Sequence, residues 1–105
     1  MVPTERREQF MRMILRARFE TVAANAAFKA GVVEKTIGDF MAKAKPEAAY
    51  FTLEKGERCG VFVFDMKESS MMPVLLEDLF TTVGAVVELT PAMTLDELRS
   101  GLMAR

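Results

Sequence analysis

Arg58-Cys59-Gly60-Val61-Phe62-Val63-Phe64-Asp65-Met66 is the stretch on which the fold turns. In an extended chain successive side chains point to opposite faces, so Val61 and Val63 share one side and Phe62 and Phe64 the other. A strand with one face in water alternates apolar with polar residues. This one is apolar on both faces, and both therefore need cover. Leaving Phe62 and Phe64 wet would cost roughly 1.5–3 kcal/mol each relative to burial.

Working outward, Ala48 to Glu54 is a second β-rich run, joined to Arg58–Met66 by Lys55-Gly56-Glu57. A short Gly-containing link between two such runs predicts a hairpin. Phe10 to Phe19 alternates with period two, with Met11, Met13, Leu15, Ala17 and Phe19 on one side and Arg12, Ile14, Arg16 and Arg18 on the other. It is read as the first strand. Between these strands lies an alanine-rich stretch, Val22 to Ala30, broken at Gly31. Val33, Ile37, Phe40, Met41 and Ala44 follow at helical spacing, and Pro46 ends the helix. Gly38 inside it predicts a close approach to the sheet. Beyond the third strand, Ser69 or Ser70 can cap a helix with a stripe of Met72, Leu76, Leu79, Phe80 and Val83, ended by Gly84. Ala85 to Leu89 is a fourth strand. Thr94 and Glu97 form a capping box for a last short helix with Leu98 and Leu102 on one side.

The order strand, helix, strand, strand, helix, strand is the ferredoxin-like split βαβ pattern, here with an extra C-terminal helix. It implies an α+β domain with two helices on one face of a four-stranded antiparallel sheet. Residues 1–9 read as a flexible lead and 10–105 as one domain. The last helix is too short to cover a four-stranded sheet, so a homodimer is expected, with Ile14, Phe62 and Phe64 at the interface.

Composition narrows the chemistry. Half of the 105 residues are hydrophobic, a rich proportion for so short a chain, and an interface is the natural place for the surplus. The net charge is −1, with Lys and Arg concentrated in residues 1–45 and Asp and Glu in 46–105. Neither half carries a run of like charge, which disfavours nucleic-acid binding. The absence of His excludes imidazole acid–base catalysis and His ligation of metal or haem, and the single Cys59 has no metal-ligand spacing around it. No cofactor and no metal are expected. No signal peptide or membrane-length apolar run is read, and a cytoplasmic location is expected.

Few residues are left to carry chemistry. Arg12, Arg16 and Arg18 share one side of the first strand and can hold a carboxylate or phosphate, or can pair with Glu88 and other acids. Tyr50, the one tyrosine, is a candidate hydrogen-bond donor or weak acid, or else a rim residue. Asp65 and Glu77 are candidate general bases if burial raises their pKa; Asp65 serves equally well as an acceptor in the following turn. Cys59 reads as a small buried apolar residue, and the methionines as core or interface filler.

Lys45-Pro46-Glu47-Ala48-Ala49-Tyr50-Phe51, the Gly56-x-Arg58 hairpin, Val63-Phe64-Asp65, Ser70 to Pro73, Glu77 with Phe80, and Pro91-x-Met93-Thr94 before Asp96-Glu97-Leu98 carry a resemblance. The chain resembles a group of small uncharacterised bacterial proteins of the dimeric α+β barrel superfamily. These are akin to YCII-related proteins, muconolactone isomerase-like proteins and antibiotic-biosynthesis monooxygenase-like domains. The resemblance implies a dimer whose two sheets enclose a cavity for a small anionic or aromatic molecule, with Arg12, Arg16, Arg18 and Tyr50 as ligand-binding candidates. It also admits a cofactor-independent isomerase or monooxygenase-like enzyme of the same fold. The Trp and His on which relatives lean, and the His of a YCII-type His-Asp pair, are absent here, and Asn25 is the sole Asn. A third reading is a structural or interaction module with a filled interface.

Overall fold

The computed structural model describes residues 10–105; the expected flexible lead at 1–9 lies outside the described residues. Eight elements follow one another: β1 (Met11–Phe19), α1 (Thr21–Lys29), α2 (Val32–Ala44), β2 (Ala48–Glu54), β3 (Glu57–Met66), α3 (Met71–Thr81), β4 (Val86–Pro91) and α4 (Leu95–Ala104). The four strands form one sheet in the order β2-β3-β1-β4, with every neighbouring pair antiparallel. The chain is therefore an α+β domain, consistent with a ferredoxin-like arrangement.

The hairpin between β2 and β3 is tighter than its sequence implies. Glu54 pairs with Glu57, so the loop is only Lys55-Gly56, with φ of 52° and 78°. Two successive positive φ values make the primed turn whose twist matches that of the flanking strands, and glycine takes the second position without Cβ strain. The break expected at Gly31 separates α1 from α2, and Lys45 ends α2 in the left-handed region before Pro46.

Pleat parity then sorts the side chains. Met13, Leu15, Ala17 and Phe19 of β1 lie on the same face as Phe62, Phe64 and Met66 of β3, through the register Met13↔Phe64 and Leu15↔Phe62. This face carries the core, closed by Ala24, Val33, Phe40 and Ala44 from α1 and α2 and by Leu75, Leu76, Leu79 and Val83 from the region of α3. The Phe40 ring lies 4.9 Å from that of Phe62 and meets that of Phe64 edge-on at 5.8 Å. Phe62 and Phe64, expected at a subunit interface, are each only 1% exposed beneath the helices. That expectation is corrected: the larger aromatic pair takes the helix side because it fills the depth between sheet and helices. Ile14, Val61 and Val63 are left on the other face.

The helical stripes are rotated from those expected. Thr36, not Ile37, is buried on α2, its hydroxyl satisfied by donating to the Val32 carbonyl at 2.8 Å. On α3, Leu75 turns inward while Met72 and Phe80 are exposed. The C-terminal α4 has the expected capping box, with Glu97 N donating to Thr94 Oγ1 and Thr94 N to a Glu97 carboxylate oxygen. It buries none of its residues, and Leu95, Leu98 and Leu102 stay exposed along it.

Two glycines have opposite roles. A Cβ on Gly60 would stand 2.9 Å from the Phe62 ring and 3.4 Å from that of Phe51, so the bare backbone is what lets Phe62 lean toward Phe51. A Cβ on Gly38 would meet nothing within 4 Å, and the expected close approach to the sheet is absent. Gly38→Ala should stabilise the protein by about 0.5–1 kcal/mol, since glycine in a helix interior costs that much relative to alanine. Gly60→Ala should destabilise it by about 1–3 kcal/mol through overpacking. Urea unfolding of both variants, compared at equal m-value, checks the contrast.

Candidate functional site

The face of the sheet away from the helices is open, and its composition follows from the register. Across it run three rows of neighbours: Tyr50, Val61, Arg16 and Glu88; Ala48, Val63, Ile14 and Thr90; Thr52, Cys59, Arg18 and Val86. Arg12 stands opposite Asp65 at one end. Ile14, Val61 and Val63 form a half-buried apolar stripe in the middle, flanked by charge. Arg12, Arg16 and Arg18 do share this face.

Each of these arginines already has a carboxylate. Arg12 Nε donates to Glu47 at 2.9 Å, with Glu97 3.6 Å from another of its nitrogens. Arg16 lies 3.8 Å from Glu54. Arg18 bridges Glu57 at 2.5 Å and Glu54 at 3.9 Å. The partners are Glu47, Glu54, Glu57 and Glu97, brought in by the β2–β3 hairpin, the segment before β2 and the start of α4. Glu88, although opposite Arg16 in the register, makes no ion pair with the described residues. The hydrogen bond from Arg12 to Glu47 raises the guanidinium pKa, and the bond to Glu57 does the same for Arg18. Glu57 is the hub: it accepts the backbone N–H of Thr21 at 3.0 Å as well as Arg18, and so ties the hairpin to the start of α1. That N–H and then Arg18 hold its carboxyl below the usual carboxylate range.

The catalytic candidates do not converge. Tyr50 projects from the edge strand and is 67% exposed. Asp65 is exposed beside Arg12 at the far end of β3, and Glu77 is exposed on the outside of α3, remote from the open face. Cys59 is buried under the Arg18 row, and loss of solvent pushes its thiol pKa up, away from a reactive thiolate.

A concavity on the helix side went unread in the sequence. Phe51 and Leu53 of β2, with Phe19, Phe28, Ile37 and Arg58, line a cleft of about 450 Å³. The Arg58 guanidinium lies 4.0 Å over the Phe28 ring and donates to Asn25 Oδ1 at 3.2 Å. Only one sequence signal hinted at it: Phe51 and Leu53 are apolar where an edge strand usually turns polar.

The Glu57 hub gives a signed pH dependence. Its depressed pKa means that its contribution is complete above the ordinary carboxylate range and is lost as pH falls through its folded value. Glu57→Gln should therefore lower Tm at pH 7, and the gap to the unmodified protein should close as the pH is taken below about 4. Thermal unfolding by circular dichroism across that range reads it, and a gap unchanged by acid would contradict the assignment.

Comparisons with protein-family models, with curated proteins and with solved structures find no match for this chain. Its function is argued from its own residues.

Proposed function

We propose that the chain works as a homodimer in which two open sheet faces meet, as in a dimeric α+β barrel, and that the space between them takes a small anionic or aromatic molecule. The observation carrying this reading is the half-buried apolar stripe of Ile14, Val61 and Val63 at the centre of the sheet, on the face opposite the core. These three side chains stand outside the core that the helices close on the other face. α4, whose Leu95, Leu98 and Leu102 also lack cover, offers a second apolar surface for the same partner.

Charge on the face favours pairing with a copy of itself. It carries arginines along β1 and glutamates around them, so a two-fold axis can set the arginines of one subunit beside the glutamates of the other. The same compensation shapes the ligand. An incoming carboxylate must displace Glu47, Glu54 or Glu57 from its arginine, whereas an aromatic ring needs only the central stripe and Tyr50. Since Tyr50, Asp65 and Glu77 stand apart, binding is favoured over catalysis.

Light scattering at micromolar concentration should return about twice the chain mass of 11.7 kDa. Ile14→Asp, which places a charge in the centre of the stripe, should return the monomer mass with an unchanged far-ultraviolet circular dichroism spectrum. A monomeric parent protein, or a dimer that survives Ile14→Asp, would remove the open face as the contact. A crystal structure of the dimer with a dry, filled seam would remove the small molecule and leave the assembly.

A further inference from the structure

The cleft beside β2 has a chemistry that the open face lacks. Three of its lining residues are phenylalanines, Phe19, Phe28 and Phe51, and Ile37 and Leu53 complete the apolar walls. Phe19 and Phe28 meet edge to face at 5.9 Å, and Phe51 is set against Phe62 in the same way at 5.7 Å. Phe51 and Leu53 nevertheless remain 60% and 69% exposed. The volume, about 450 Å³, is within the range of small-molecule sites.

Arg58 supplies the polar group. Pleat parity puts it on the helix face, one residue before Cys59 and on the opposite side from Arg18. Among the described residues it has no carboxylate within ion-pair distance, whereas Arg12, Arg16 and Arg18 each have one. Its guanidinium is held in place by the Phe28 ring beneath it and by Asn25, and its other N–H groups make no hydrogen bond to the described residues. A guanidinium oriented in this way has lost much of its rotamer freedom in advance and presents a planar fork matched to a carboxylate. One cation among aromatic walls fits a molecule with one negative charge and a flat apolar body.

We propose that this cleft binds an aromatic monocarboxylate, with the ring system among Phe19, Phe28 and Phe51 and the carboxylate on Arg58. The site is on the opposite face of the sheet from the dimer contact and does not rest on it. The ring replaces water on the exposed faces of Phe51 and Leu53, and the carboxylate provides Arg58 with a counter-charge that the described residues do not supply.

The test is a titration of the isotope-labelled protein with 2-naphthylacetate, and separately with the uncharged 2-(2-naphthyl)ethanol, followed by amide and methyl NMR shifts. The acid should bind about tenfold more tightly than the alcohol, with saturable shifts at Phe28, Ile37 and Phe51. Arg58→Met should bring the acid down to the affinity of the alcohol while leaving the alcohol within about twofold, and an intact amide spectrum would show that the variant folds. Ile14→Asp should leave the acid's affinity unchanged. Equal affinity for acid and alcohol, no saturable shift, or shifts confined to Val61 and Val63 would each overturn the site. So would loss of the dimer on Leu53→Lys, which would assign the cleft to a subunit contact.

Discussion

The packing of the Phe62 ring over the bare backbone of Gly60, between Phe40 above and Phe51 beside it, sets the rest of the molecule. β3 is an interior strand, and once its even-numbered residues from Arg58 to Met66 face the helices, parity leaves no freedom elsewhere. Antiparallel pairing carries the choice to β1, where Met13, Leu15, Ala17 and Phe19 must turn inward and the arginines outward. It carries it equally to β2, sending Phe51 and Leu53 to the helix side and Tyr50 to the other. A slip of one residue would exchange every one of these assignments, which is why an apolar pattern of period two specifies register strongly wherever one face is buried.

The two faces of the sheet manage charge differently as a result. On the open face each arginine is answered by a glutamate, and these pairs are largely solvated. Exposed ion pairs contribute little individually, typically about 0–1 kcal/mol. They serve better to fix the hairpin, the segment at Glu47 and the start of α4 relative to β1 than to hold the fold together. On the helix side Arg58 is held by a ring and an amide instead of a carboxylate. Among the described residues no carboxylate reaches Arg58, whereas the arginines of β1 are each paired with a glutamate.

Much of the architecture was legible because it is local. The Thr94 and Glu97 capping box, the Gly-containing hairpin and the period-two run of β1 each depend on residues a few positions apart, and each formed where the spacing indicated. The helical faces were harder. Met71, Met72, Val74, Leu75, Leu76, Leu79 and Phe80 make the apolar arc of α3 so wide that periodicity cannot select the inward line; the sheet did, choosing Leu75 and rejecting Met72 and Phe80. Gly38 misled for a related reason, since a helix glycine signals a close neighbour only if it is on the buried side, and this one is exposed.

By itself the sequence determined the order of the strands, a hairpin around Gly56, the break at Gly31, the shared face of Arg12, Arg16 and Arg18, and the surplus of apolar residues on both sides of β3. These are consequences of backbone geometry and side-chain alternation acting over short distances. The tertiary structure alone decided which side of β3 the helices cover, and so moved Phe62 and Phe64 into the core and left Ile14, Val61 and Val63 outside. It alone chose glutamates far apart in the chain as partners for the arginines. It alone brought Phe19, Phe28, Ile37, Phe51 and Arg58 around one cleft. Alternation predicts that a strand has two faces; only the volume available between sheet and helices determines which face fills it.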